Sequence, residues 1–315
     1  MNGGRSWLPW LLGAQVAVVV LLVAYSIWSQ TLPGLMWTLH SSDGQRRALA
    51  AKKLGEMGPA AQQALPALRD ALDDDTTAAQ FAAATAIQRI GGLPALAEAV
   101  KSPNPQARAQ ALGALRSVPR GSATDAQRME LLTASLHDSA PQVRQLAVRM
   151  LGEMGPAAAP ALPQISALLY DPDSSVRVAA VGTLDRLGSL EDLAKAISSS
   201  DGDVRRAALA GLPRYGTQAI PVLTAALQSE DPRLVAQAAD MLASMNPPAT
   251  SAVPALAHEL GRPDVWLRMR LLADLERIGG PDAEAVVEQA TSDSDAYFRN
   301  AALAALQRMK QRSAP

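Results

Sequence analysis

DSAPQVRQLAVRMLGEMGPAAAPALPQISALL, residues 138–169, holds one complete structural unit of this chain, and its pattern recurs from end to end. Within it Arg144 is followed by Ala147, Leu151 and Gly155, that is by positions +3, +7 and +11. Those four places fall along one stripe of a helix with 3.6 residues per turn. The same register can be laid on Arg47, Gln80, Arg108, Arg144, Arg177, Arg205, Val235, Arg268 and Arg299, at gaps of 28 to 36 residues. Position +3 then reads Ala50, Ala83, Ala111, Ala147, Ala180, Ala208, Ala238, Leu271 and Ala302. Position +7 reads Leu54, Ile87, Leu115, Leu151, Leu184, Leu212, Leu242, Leu275 and Leu306. Self-similarity at this period means stacked supersecondary units, each too small to bury its apolar face alone.

Helix geometry assigns a role to each place. Asp43, Asp173, Asp201, Asp231, Asp264 and Asp295, with Asn104 in kind, precede the register arginine by four residues and sit where an N-cap accepts a first-turn N–H. Gly58, Gly91, Gly155, Gly188, Gly216 and Gly279 fall at the place where a left-handed residue closes a helix, and Asn246 is the best substitute in its repeat. A second helix follows, with Pro66, Pro163, Pro221 and Pro254 near its first turn. Each unit is therefore a helical hairpin. In the third repeat Pro119 takes the glycine place, and residues 120–126 are expected to form a longer loop between the two helices.

This pattern resembles a HEAT repeat of the short bacterial type, the phycobilin-lyase HEAT-like group. The resemblance covers residues 41–313 and implies an all-α solenoid, a right-handed superhelix of about eight to nine helical hairpins. Relatives of this kind serve as scaffolds, adaptors, bilin lyases, metal-dependent hydroxylases and DNA glycosylases, so the resemblance specifies a fold rather than a function.

Composition supports the same fold. Only 3% of residues are aromatic, and five of the eleven, Trp7, Trp10, Tyr25, Trp28 and Trp37, lie near the amino terminus. The rest of the chain must build its core from Ala, Leu, Val, Ile and Met, which suits closely packed helices. Residues 7–28 carry no charge and are bracketed by aromatics, about the length that spans roughly 30 Å of hydrocarbon. They read as a transmembrane helix or uncleaved signal anchor over 7–29, after a tail at 1–6 and before a connector at 30–40. The rival reading is a cleaved signal peptide ending near Ala24 and Ser26. Arg5 and the α-amine favour an internal amino terminus, which places the repeats outside the cytoplasm.

Catalytic material is scarce. With no cysteine and three histidines, His40, His137 and His258, only His258 and Glu259 are adjacent, too few for a multi-ligand metal site. No Ser, His, Asp arrangement and no phosphate loop stands out. The expectation is a membrane-tethered scaffold that binds a protein partner, without catalysis, cofactor or metal, with a structural adaptor lacking one defined groove or a lyase-like or nucleic-acid-acting enzyme as the alternatives. The net charge is −1, and nucleic acid is not an expected partner.

The repeated arginines Arg47, Arg108, Arg144, Arg177, Arg205, Arg268 and Arg299 are read as structural, pairing either with the Asp four residues earlier or with an acceptor in the neighbouring unit. The second helices carry Asp70, Glu98, Asp125, Glu130, Glu191, Asp192, Glu259, Asp282, Glu284 and Glu288 against Arg69, Arg128 and Lys195. If that face lines a groove, the groove is acidic and the partner a basic protein or peptide, with Glu130, Glu191, Asp192, Glu259, Glu284 and Glu288 as the contact candidates.

Overall fold

The computed structural model describes residues 8–313 and contains no strand among them. In chain order the helices are α1 (Leu8–Trp28), α2 (Leu32–Thr38), α3 (Gly44–Glu56), α4 (Leu65–Asp70), α5 (Thr77–Ala99), α6 (Pro105–Ala114), α7 (Ser122–Ser135), α8 (Pro141–Met154) and α9 (Leu162–Ala167). They continue as α10 (Ser174–Leu187), α11 (Leu190–Ile197), α12 (Gly202–Gly211), α13 (Ile220–Ala226), α14 (Pro232–Ala243), α15 (Val253–Glu259), α16 (Val265–Ile278), α17 (Gly280–Ala290) and α18 (Ala296–Ser313). The chain forms two compact bodies, Met1–Leu151 and Gly152–Pro315, with the boundary inside α8. Each is built from stacked helical hairpins of the α-solenoid class.

The hairpins form where the register places their seams. All nine residues at +3 are at most 1% exposed. At +7 the first eight residues, from Leu54 to Leu275, are fully buried, and Leu306 in the final repeat is half-buried. First helices stack on first helices: α3 on α5 and α5 on α6 in the first body, and α10 on α12, α14 on α16 and α16 on α18 in the second. Small residues allow this closeness. A Cβ on Gly55 would stand 2.9 Å from the Cα of Ala86, so α3 and α5 approach backbone to backbone there.

The capping places behave as helix chemistry requires. Asp43, Asn104, Asp173, Asp201, Asp231, Asp264 and Asp295 each accept a first-turn N–H, as at Ser175 N to Asp173 Oδ1 at 2.8 Å. Gly58, Gly155, Gly188, Gly216 and Gly279 have positive φ and let the chain turn into the second helix. In the second repeat Gly92 (φ 61°) takes this role rather than Gly91. Asn246 does not adopt a left-handed φ; it precedes a cis peptide bond to Pro247. Second helices are short, Leu65–Asp70 or Leu162–Ala167 for example, and are entered through tight 3₁₀ turns with proline in the first helical turn.

Two expected irregular segments are helical. Residues 30–40, read as a connector, contain α2, capped by the Thr31 hydroxyl and packed on α3, with Leu35 and Leu39 buried and Gly34 close against the backbone of Trp28. The loop expected at 120–126 is absent because α7 starts at Ser122. Arg128, 6% exposed, reaches back to the Val118 carbonyl at 2.7 Å and to Asp125 at 2.6 Å, and Thr124 Oγ1 donates to the Pro119 carbonyl at 3.1 Å. The extra residues of this repeat thus lengthen its second helix instead of its loop.

The tail 1–6 and Trp7 lie outside the described residues. From Ala17 onward α1 exposes its apolar side chains, with Val18 to Val23 at 53–68%. Among the residues whose side chains are described, no single helix is long and apolar enough to cross a membrane; Ala17–Trp28 and Leu32–Thr38 pass only as a pair bent by 92°. The span expected over 7–29 is therefore not shown by the structure.

Truncation of the seam tests the register. Leu184→Ala should lower unfolding stability by about 2–5 kcal/mol, the range for a packed core leucine, and Asp173→Ala by about 1 kcal/mol through loss of a cap. Denaturant melts followed by circular dichroism report both, and a silent Leu184→Ala would contradict this packing.

Candidate functional site

The repeated arginines form a ladder between repeats. Arg47 donates to Asp74 at 2.9 Å, 27 residues on. Arg108 grips Asp138 with two bonds of 2.7 and 2.6 Å, 30 residues on, both side chains being 11% exposed. Arg177 bonds Asp201 at 3.0 Å, Arg205 bonds Asp231 at 3.2 Å, and Arg268 pairs with Asp293. Of the two pairings the sequence allows, these five make the one with the following repeat. The Asp or Asn four residues earlier caps its own helix terminus.

Six of the seven arginines also hold their own hairpin. The other guanidinium nitrogen donates to the backbone carbonyl six residues upstream: Ser41 O from Arg47, Ser102 O from Arg108, Asp138 O from Arg144, Asp171 O from Arg177, Ser199 O from Arg205 and Asp293 O from Arg299, at 2.7–2.9 Å. Gln80 does the same with its amide to Asp74 O at 2.7 Å. The residue at that upstream place is Ser or Asp in eight repeats of nine, and its side chain accepts the N–H two residues on, as at Ala140 N to Asp138 Oδ1 at 2.8 Å. This turn position was visible in the sequence as a second periodic polar place, two residues before the caps. Where Val235 replaces the arginine, Arg262 stands at the upstream place of the next repeat and donates to the Leu227 carbonyl at 3.2 Å.

Charge compensation in the ladder is strong. The Arg47 guanidinium, with help from the Thr76 N–H and hydroxyl, holds the Asp74 carboxyl well below the usual range. Burial pushes Asp138 up, but bonds from Arg108 and from Ala140 N outweigh it and leave the carboxyl below its ordinary value.

Of the six acidic contact candidates, two are buried within their own body. Asp192 is 8% exposed and accepts from Ser166, Ser189 (2.6 Å) and Lys195 (3.0 Å). Glu259 is 3% exposed, lies 3.0 Å from His258 Nδ1 and pairs with Arg262. Both therefore hold helices in place and are removed as partner contacts; second helices this short turn part of their polar side inward, toward the neighbouring turn. Glu191 pairs with Lys195 at 3.1 Å and Glu288 with Lys310 at 3.4 Å, both at the surface. Glu130 is exposed in the first body and Glu284 half-buried in the second. Among the described residues, no three His, Asp or Glu side chains converge as a metal site would require.

One ionisable cluster stands outside these patterns. Asp274 of α16, 2% exposed, is pushed up to about 7 by burial and by the adjacent Asp240 of α14, against the pull of Arg277 and Arg270. Arg277 donates to Asp274 at 2.9 Å, and Arg270 pairs with Asp240. Two carboxyl groups this close do not both ionise readily.

Both features yield measurements. Asp138→Ala leaves the Arg108 guanidinium buried without its carboxylate and should cost about 3 kcal/mol in a urea melt, more than loss of an exposed ion pair. For Asp274 the folded carboxyl binds its proton more tightly than the unfolded one. The stability it contributes is thus present at low pH and is lost as pH rises from about 4 to 7. Asp274→Asn should raise the thermal midpoint at pH 8, by the equivalent of about 1 kcal/mol or more, and change it little at pH 4. Equal effects at both pH values would refute the assignment.

No curated protein matches the chain. Solved structures similar to it include an engineered protein (21% identity over 89% of this chain and 88% of that one, TM-score 0.42) and YibA of Escherichia coli (18%, 85% and 98%, TM-score 0.47). Human deoxyhypusine hydroxylase in complex with glycerol is also similar (19%, 82% and 99%, TM-score 0.35). A family model described as HEAT repeats matches residues 32–116, 129–195 and 190–260. Its first match starts at the first residue of α2, in agreement with the packing of that helix on α3. These matches cover more than half of the chain, and on them, with the ladder and the buried seams, the chain belongs to the HEAT-repeat family.

Proposed function

We propose that this chain is a membrane-tethered HEAT-repeat scaffold that binds a protein or peptide partner and performs no catalysis of its own. The observation that carries the binding reading is the placement of its aromatic residues. Of the six in the repeats, four stand at the surface: Phe81 at 65%, Tyr170 at 78%, Trp266 at 54% and Tyr297 at 72% exposure. A family whose cores are built from Ala and Leu does not need these rings for packing, and exposed aromatics are enriched where proteins meet. The polar groups most suited to chemistry are occupied elsewhere, in the ladder, the caps and the pairs around Asp192 and Glu259.

Tethering is supported by α1, whose uncharged apolar side chains from Val18 to Val23 are exposed to an extent that water disfavours. Only Glu130 and Glu284 remain on the second helices as acids that are neither tightly buried nor paired with a lysine among the six candidates. A basic partner in an acidic groove is thus the weaker form of the proposal, and nucleic acid is not a partner in it. The repeats, continuing as a right-handed superhelix, lie outside the cytoplasm in this reading.

Alkaline carbonate extraction tests the tether. The full chain should stay in the membrane pellet, and Val19→Arg with Leu22→Arg should move it to the supernatant, since each arginine at the middle of a span costs about 2.5–3.5 kcal/mol. Protease added outside the inner membrane should then digest the repeats. Release of the unaltered chain by carbonate, or full protection of the repeats, would overturn tether or orientation respectively.

A further inference from the structure

The first-helix face of the first body carries two adjoining apolar depressions that none of the preceding assignments uses. One lies between α3 and α5, floored by Ala48, Ala82 and Ala86 and walled by Leu49 and Phe81. The next is lined by Ala84 of α5, Ala109 and Gly113 of α6 and Leu146 of α8, again with Phe81, and Gln110 and Ser117 border it. Thr85 also borders both, but its hydroxyl donates to the Phe81 carbonyl at 2.9 Å, so the shared wall offers little hydrogen bonding. Phe81 and Leu49 are 65% and 50% exposed, far more than burial on folding would leave. Cations stand at the rims, Lys52 and Arg89 at the first depression and Arg116 at the second, with Glu56 beside Lys52 at 4.0 Å.

We infer that this face is a docking site for an amphipathic helix of a partner protein, with apolar residues seven apart and acidic residues on its flanks. The spacing follows from geometry. Successive first helices pack at roughly 8–10 Å, which is therefore the distance between the two depressions. Seven residues of an α-helix advance about 10.5 Å, so a helix laid across α3, α5 and α6 puts side chains i and i+7 into the two depressions, astride Phe81. The sign of the flanks follows from the rims, where Lys52, Arg89 and Arg116 favour carboxylates and repel basic segments. Concave, Ala-floored depressions suit inserted side chains better than a bilayer, which takes up protruding groups. The inference rests on the reading of the chain as a protein-binding scaffold and names the surface and the partner chemistry.

The probe is a synthetic amphipathic peptide with Leu at i and i+7 flanked by Glu, titrated by fluorescence anisotropy against the full chain in detergent. Saturable binding is expected, tighter than that of the same peptide with Lys flanks. Phe81→Ala should weaken it about tenfold, as for a central aromatic anchor, while Phe81→Leu retains most of it and both variants keep the helical circular dichroism. Lys52→Glu with Arg89→Glu should reverse the preference between the two peptides. Absence of saturable binding, equal affinity for both peptides, or an affinity unchanged by Phe81→Ala overturns the inference. So does displacement of the peptide by phosphatidylglycerol nanodiscs but not by phosphatidylcholine nanodiscs, which would make the face a lipid contact. A protein that co-purifies with the full chain and is retained by Phe81→Ala would leave the scaffold reading standing and remove this one.

Discussion

The guanidinium at the start of each first helix is the interaction on which the rest of the structure depends. A HEAT hairpin cannot bury its own apolar stripe, so it must be held at a fixed register against its neighbour, and Ala and Leu seams alone would tolerate sliding. The arginine removes that freedom by bonding in two directions. One nitrogen closes the turn six residues upstream, and the others reach a carboxylate of the next repeat, 24 to 30 residues on. Because Asp74 and Asp138 also accept the N–H of the turn that follows them, one carboxylate joins cap, turn and neighbour in a single network.

Exceptions to the ladder show the same requirement from the other side. Gln80 keeps the upstream bond with an amide, and the repeat with Val235 is served by Arg262 of the next one, which reaches back to a carbonyl that would otherwise lack a donor at that seam. Asp274 and Asp240 are the contrary case, two acids drawn together on α16 and α14 with arginines beside them, at a net cost once both are ionised. What the seams leave out are chiefly exposed aromatic rings and the shallow depressions between first helices.

Much of this was legible from residue order because helix periodicity and capping are local. The nine Ala and Leu coincidences, the Asp caps and the prolines at second-helix starts each depend on spacings below about a dozen residues, where backbone geometry determines which side chains share a face. The Ser or Asp turn position is equally periodic and equally local, two residues before each cap. Local reading failed where a distant residue decides the conformation. Residues 30–40 look like a connector until α3 offers a surface for Leu35 and Leu39, and residues 120–126 look like a loop until Arg128 folds back on Val118.

By itself the sequence determined that the chain is helical, that it repeats at about 32 residues, and which residues line each seam, since these follow from periodic burial within single helices. Only the tertiary structure decided which carboxylate each arginine takes, because the acid it bonds lies 24 to 30 residues on and comes within reach only where the next hairpin places it. It also separated Asp192 and Glu259, which are buried between helices, from the exposed Glu130 and Glu191, a distinction that alternation along a six- to eight-residue helix is too short to carry. The pairing of the two Phe81 depressions likewise belongs to the stacking of α3, α5 and α6, for no single helix contains either of them.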